Sequence, residues 1–178
     1  MLVVISPAKK LNMDETSRYK TTKPIFIEEA NYLVDIVKKL SVETFKNLMK
    51  LSPNLAQLNM ERFSQFGKQE KKASVLAFAG DTYQGLDAGE FSIEDINWAQ
   101  DHLVILSGLY GILKPLDLIE PYRLEMGSKL ETHKGKTLYS FWDDKLSKSL
   151  NLQAKKINTN FIINCASDEY FKVINNNV

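Results

Sequence analysis

Hydrophobic residues follow two rhythms along this chain. Four short runs, at residues 2–5, 74–79, 103–106 and 161–164, are almost continuously apolar and stop at Ser, Gly, Pro or Asn. Runs of this kind predict strands buried on both faces, which in turn need helices on both sides. Elsewhere apolar positions recur at helical spacing. Ala30, Leu33, Val34, Val37 and Leu40 form one stripe over residues 28–40. Ser41 is placed to cap a second helix carrying Phe45, Leu48 and Met49. Ser52-Pro53, a cap residue followed by proline, opens a third with Leu55, Ala56, Asn59, Phe63 and Phe66, and Gly67 closes it. Ser92 and Asp95 have the form of a capping box for a helix running through Trp98 to His102. Residues 138–150, with Tyr139, Trp142, Leu146 and Leu150 on one side, predict one long helix, and Ser167 a short last one containing Tyr170.

The remaining segments, 10–27, 67–72 and 108–127, keep neither rhythm and predict loops; 108–127 alone holds three glycines and two prolines. Residues 175–178 read as a short polar tail. The expected architecture is α/β (α+β): a mixed, mostly parallel buried sheet flanked by helices, with a helical hairpin near residues 42–66. No repeat, low-complexity stretch or linker divides the chain, so residues 1–178 are expected to form a single domain.

Composition narrows the function classes. With 44% hydrophobic and 25% charged residues the chain is not of the disordered type. A net charge of +1 excludes a polycation, so nucleic-acid binding would need its basic residues gathered on one face. Cys165 is the single cysteine, which rules out a disulfide within the chain and fits a reducing compartment. The apolar start at residues 2–5 is too short for a signal peptide or a membrane span of roughly 20 residues. A cytoplasmic protein without a membrane partner is expected.

Candidate chemistry clusters after the apolar runs. They lead into Ser6-Pro-Ala-Lys9, Gly80-Asp-Thr-Tyr83, Ser107-Gly-Leu-Tyr110 and Asn164-Cys-Ala-Ser167. In open α/β sheets ligands bind beyond the carboxyl ends of strands, so parallel strands would bring these tips to one rim. The densest segment, 115–127, adds Asp117, Tyr122, Arg123 and Glu125 on a proline-bounded loop. Arginine can hold a carboxylate or phosphate through two parallel bonds. The candidate rim is therefore Ser6, Lys9, Gly80, Asp81, Tyr83, Ser107, Tyr110, Tyr122, Arg123, Glu125, Asn164, Ser167 and Tyr170. Lys9, Asp81, Tyr110 and Arg123 would be its working groups, for a small phosphorylated or nucleotide-like ligand. Two plainer readings stand beside this one. Strands end in turn residues whatever their function, and Arg123 can pair internally with Glu125 or Asp117.

Familiar catalytic signatures are absent: there is no P-loop, no Gly-x-Ser-x-Gly and no His-Glu-x-x-His. His102 and His133, the only histidines, show no metal-ligand spacing, and neither a metal nor a cofactor is expected. Cys165, following a predicted buried strand, reads as a buried inert thiol rather than a nucleophile.

Five motifs in order, Ile5-Ser-Pro-Ala-Lys9, Phe78-Ala-Gly-Asp-Thr-Tyr-Gln-Gly-Leu86, Leu106-Ser-Gly-Leu-Tyr-Gly-Ile-Leu-Lys-Pro-Leu-Asp117, Pro121-Tyr-Arg-Leu-Glu-Met-Gly127 and Asn164-Cys-Ala-Ser-Asp-Glu-Tyr170, resemble the YaaA family. The resemblance implies a bacterial cytoplasmic protein of the hydrogen peroxide response. Such a protein limits intracellular unincorporated iron and oxidative damage to DNA and proteins. It also implies a DNA-binding fold with a helix-hairpin-helix element and a positively charged cleft. The hairpin near 42–66 is the place for that element, with Lys46, Lys50, Arg62, Lys68, Lys71 and Lys72 as phosphate contacts for sequence-independent DNA binding. The usual Gly-x-Gly of such hairpins is missing here, and a plain helical hairpin packed on the sheet is the alternative. Members of the family usually continue for several dozen residues more. Against that pattern the chain reads as C-terminally shortened, with a sheet edge left uncovered.

Overall fold

The computed structural model describes residues 1–14 and 18–174. The polar tail at 175–178 and residues 15–17 of the first loop lie outside the described residues. In chain order the elements are β1 (Leu2–Ile5), α1 (Ile27–Val37), α2 (Val42–Met49), α3 (Pro53–Ser64), β2 (Lys72–Ala73), α4 (Ser74–Ala77) and α5 (Asp81–Leu86). A 3-10 turn (Ala88–Glu90) leads to α6 (Ile93–His102), β3 (Leu103–Ser107), β4 (Gly111–Leu113), β5 (Leu118–Ile119), α7 (Leu138–Trp142), α8 (Lys145–Lys156), β6 (Ile162–Cys165) and α9 (Asp168–Phe171).

The principal sheet has the order β4-β3-β1-β6. β1 runs parallel to both neighbours, pairing Val4 with Val104 on one side and with Asn164 on the other. β4 turns back antiparallel to β3. The two inner strands are the most apolar, and every residue of β3 is buried. Helix starts follow the expected chemistry. Ser41 Oγ accepts from the Thr44 amide at 3.1 Å, and Ser92 and Asp95 form a reciprocal capping box. Ser52 Oγ accepts from the Leu55 amide at 3.4 Å, with Pro53 in the first turn. α2 and α3 make the expected hairpin, closed by Phe45 and Phe63 edge to face at 5.7 Å between ring centroids. The fold is the mixed, largely parallel α+β arrangement with flanking helices.

Three local expectations fail. Residues 74–79 do not form a strand. β2 pairs with β5 at Lys72 and Ala73, and the chain then turns into the short helix α4. Ser74 drives that turn: its Oγ donates to the carbonyls of Lys114 and Pro115, and its amide to that of Asp117. A short continuous apolar run suits a buried helix as well as a buried strand. The predicted helix over 138–150 is two helices, broken where Asp143 takes φ 46° and ψ −129°. The 108–127 loop contains β4 and β5. Gly111, read as a loop residue, takes φ 68° and pairs opposite Ser107 at the tight β3–β4 turn.

The fourth apolar run does become β6, but not a buried one. It pairs only with β1 at the end of the sheet, and Phe161 beside it is 74% exposed. Cys165 is exposed, so the reading of a buried thiol is corrected. Among the described residues no helix is long and apolar enough to cross a membrane.

Candidate anion-binding rim

Because β1, β3 and β6 are parallel, their carboxyl ends share one side of the sheet. Beyond β1, Ser6 ties that side together. Its Oγ accepts from the Ser167 amide at 2.9 Å and donates to Ser167 Oγ at 3.3 Å. Its carbonyl accepts from Tyr83 Oη at 2.9 Å. Beyond β3, Ser107 Oγ meets Tyr122 Oη at 2.6 Å and accepts from the Tyr110 amide at 2.9 Å. Gly108 lets the 122–125 segment lie directly on this turn, since a Cβ there would stand 2.3 Å from the Leu124 carbonyl oxygen. The Gly127 amide donates to Glu169 at 2.9 Å and fastens the segment to α9.

The charges of the rim meet on one atom. Glu125 Oε1 is 3.1 Å from Arg123 Nη2 and 3.5 Å from Lys9 Nζ. Arg123 Nε is buried without a hydrogen-bond partner. Arg123 and Glu125 are 18% and 22% exposed, whereas Lys9 is 70% exposed. These three, with Pro7, Tyr122 and Tyr170, line a small depression of about 30 Å³. The tyrosines around it are held neutral. Burial pushes the phenol of Tyr122 up, and the Ser107 bond pulls only part of the way back. Burial also raises Tyr83 and Tyr170, and in both cases the neighbouring Tyr122 adds to the effect. The arrangement places two cations on one carboxylate oxygen, with the hydroxyls of Tyr122 and Tyr83 engaged by Ser107 and the Ser6 carbonyl.

The other candidates take varied places. Asp81 is exposed at the start of α5, not at a strand tip, because α4 replaced the expected strand. Gly80, just before it, approaches the Ser6–Lys9 segment closely: a Cβ there would be 3.2 Å from Ala8 Cβ. Tyr110 is 1% exposed and does not line the depression; its ring packs edge to face on Tyr122 at 5.3 Å and its hydroxyl accepts from the Glu120 amide at 3.2 Å. Asn164 Oδ1 accepts from the Ala166 amide at 2.9 Å, a local turn. Asp117 stands apart, buried and accepting from the Lys114 amide at 2.8 Å and Thr22 Oγ1 at 2.7 Å. Arg123 therefore pairs with Glu125 and not with Asp117.

The six basic residues of the hairpin do not gather on one open face. Lys46 pairs with Glu43 at 2.9 Å, and Lys71 with the buried Glu120 at 3.4 Å. Arg62 is partly buried, which lowers its pKa, and donates to Asn59 Oδ1. Lys72 is buried, while Lys50 and Lys68 are exposed. The histidines serve elsewhere, His102 on the Met1 carbonyl at 2.8 Å and His133 on Tyr32 Oη at 2.7 Å. Among the described residues no group of three or more His, Cys, Asp or Glu is placed to hold a metal ion. Sequence reasoning missed Glu120, which accepts from the Gly67 amide at 2.7 Å and anchors Lys71. Its one signal was a carboxylate set directly between Ile119 and Pro121.

Residues 1–178 match, end to end, the family model described as peroxide stress protein YaaA. The chain belongs to the YaaA family. Relatives agree. A UPF0246 protein of Ruegeria pomeroyi is 51% identical over 178 residues, covering 98% of this chain and 69% of that protein. UPF0246 proteins of Saccharophagus degradans and Bordetella pertussis are 48% and 46% identical over 179 residues, each covering 98% of this chain and 70% of the relative. Membership of the YaaA family supports a peroxide-stress-related role.

Proposed function

We propose that this protein serves the peroxide-stress role of its family by holding a small anionic ligand, phosphorylated or nucleotide-like, at the rim around Lys9 and Arg123. The downstream result is a low level of unincorporated iron and less oxidative damage to DNA and proteins, with the protein acting in the cytoplasm. One observation carries this reading. Two cations share a single carboxylate oxygen, and the Arg123 Nε beside them is buried with no acceptor. A buried donor without a partner costs on the order of 1–3 kcal/mol, which an anion in the depression would recover. Lys9, mostly in solvent, gains little from its present pair and is free to turn to a ligand.

Calorimetric titration with inorganic phosphate tests the reading. The wild type should bind, and Lys9→Gln with Arg123→Lys should abolish the heat while leaving the unfolding transition in place. Cells carrying the same two substitutions should survive hydrogen peroxide no better than cells without the protein. Wild-type binding and survival in the double variant would sink the proposal.

Sequence-independent DNA binding is the second reading, supported by exposed Lys50 and Lys68 at the ends of the α2–α3 hairpin, where neither makes an ion pair among the described residues. Gel shifts with duplex DNA at two salt concentrations test it. Binding should weaken steeply as salt rises and should fall in Lys50→Ala/Lys68→Ala. No shift at low salt rejects it.

A further inference from the structure

A second cavity lies on the other side of Tyr83. It measures about 400 Å³ and is bounded by α4, α5, the turn that follows α5, and residues 18–19. That volume is in the range of small-molecule sites. Its lining mixes apolar and aromatic residues, Val75, Phe78 and Tyr83, with the charged Arg18, Lys72 and Asp87.

Lys72 is the unusual member. Its backbone is fixed by pairing with Ile119, and the residue is only 4% exposed. Among the described residues its ammonium makes no hydrogen bond and no ion pair. The contrast with its surroundings is direct. The buried polar side chains of Asn59, Ser74, Ser107, Asp117, Glu120 and Ser128 all make hydrogen bonds. The neighbouring Lys71 has Glu120. The aliphatic stem of Lys72 is packed away while its ammonium is not sealed in, the usual disposition of a lysine whose head group meets an opening, here the cavity. Lys72 lacks a protein partner yet borders a cavity large enough to hold one.

Arg18 adds a second cation with a fixed position. It donates from Nη2 to the carbonyls of Gly89 at 3.0 Å and Phe91 at 2.8 Å, and lies over the Tyr19 ring at 5.2 Å. Among the described residues none of its partners is a carboxylate. Asp87, the acidic residue of the cavity lining, is exposed, where water screens it. Arg18 is exposed as well, so the cavity is lined by one buried cation, Lys72, by Arg18 and Asp87 at its solvent side, and by the aromatic residues Phe78 and Tyr83.

We propose that this cavity binds a small organic anion, a phosphomonoester or carboxylate on an aromatic body, with Lys72 and Arg18 on the charged end and Phe78 with Tyr83 on the ring. The site is separate from the rim. The Tyr83 ring lines the cavity while its hydroxyl is spent on the Ser6 carbonyl, and neither Lys9 nor Arg123 lines it. The two assignments can therefore fail independently.

Calorimetric titration of the whole chain with AMP, benzoate, inorganic phosphate and adenosine tests the proposal. AMP, benzoate or both should bind, the phosphate and carboxylate arms telling the two head groups apart. Adenosine, with the ring and no anion, should not bind. Lys72→Met should weaken the bound anion at least about tenfold. The rim variant Lys9→Gln/Arg123→Lys should bind it as the wild type does. The assignment is overturned if neither AMP nor benzoate binds, or if Lys72→Met binds them unchanged.

Discussion

Ser107 Oγ and Tyr122 Oη stand 2.6 Å apart in a buried hydrogen bond, and the same Ser107 oxygen accepts from the Tyr110 amide at 2.9 Å. Ser107 is thus a node between the end of β3 and the loop that carries Arg123. Tyr122→Phe leaves Ser107 with one of its two partners and should cost about 1 kcal/mol. Ser107→Ala leaves both the Tyr122 hydroxyl and the Tyr110 amide unpaired in the interior and should cost about 2–3 kcal/mol. Urea unfolding of the two variants gives the order. Equal losses, or a larger loss for Tyr122→Phe, would contradict the shared node.

Gly111 is constrained twice. Its φ is 68°, and an added Cβ would lie 2.8 Å from the Trp142 ring and 2.9 Å from a Leu146 methyl. Neither neighbour can retreat, since both are fully buried and the Trp142 indole donates to the Gly108 carbonyl at 3.0 Å. Gly111→Ala should therefore destabilise by about 3 kcal/mol, the sum of a strained backbone and an overfilled core. A lowered denaturation midpoint with an unchanged slope is the expected result, and a midpoint within error of wild type would refute the packing argument.

Asp117 sets a pH dependence opposite to that of a carboxylate in a salt bridge. Burial raises its pKa above the ordinary 3.8, with the Lys114 amide, Thr22 and the Lys114 charge pulling the other way. Between the ordinary and the raised value the folded protein holds more protons than the unfolded chain. The stabilising contribution is therefore present at low pH and lost as pH climbs through that window. Asp117→Asn removes the titration. Wild-type stability measured against this variant should fall as pH rises above the ordinary carboxyl value of 3.8. A difference that stays flat as pH rises would exclude Asp117 as the source.

Cys165 ends an outer strand and is exposed. In the folded protein one equivalent of a disulfide reagent such as DTNB should react without denaturant, at a rate within about tenfold of a free thiol. Reaction only after unfolding would overturn the exposure. The chain has a single cysteine, so the signal is unambiguous.

Local chemistry was legible wherever one residue acts on its near neighbours. The caps at Ser41, Ser52 and Ser92, the α2–α3 hairpin and the apolar inner strands β1 and β3 all follow from spacing and hydrogen-bonding capacity within a few residues. The motifs flanking Lys9 and Arg123 were visible for the same reason, and so was the family. Where residues of distant segments compete for the same partner, the sequence was silent. Residues 74–77 became a helix because Ser74 found carbonyls forty residues away, and that moved Asp81 from a strand tip to a helix start. Residues 138–156 broke into two helices where Asp143 takes positive φ. Only the fold decided that Tyr110 faces the core, that Lys72 is buried beside a cavity and that Arg123 and Lys9 meet on Glu125. Burial and charge pairing are set by what packs against a residue, and for these residues the partners lie on other segments of the chain.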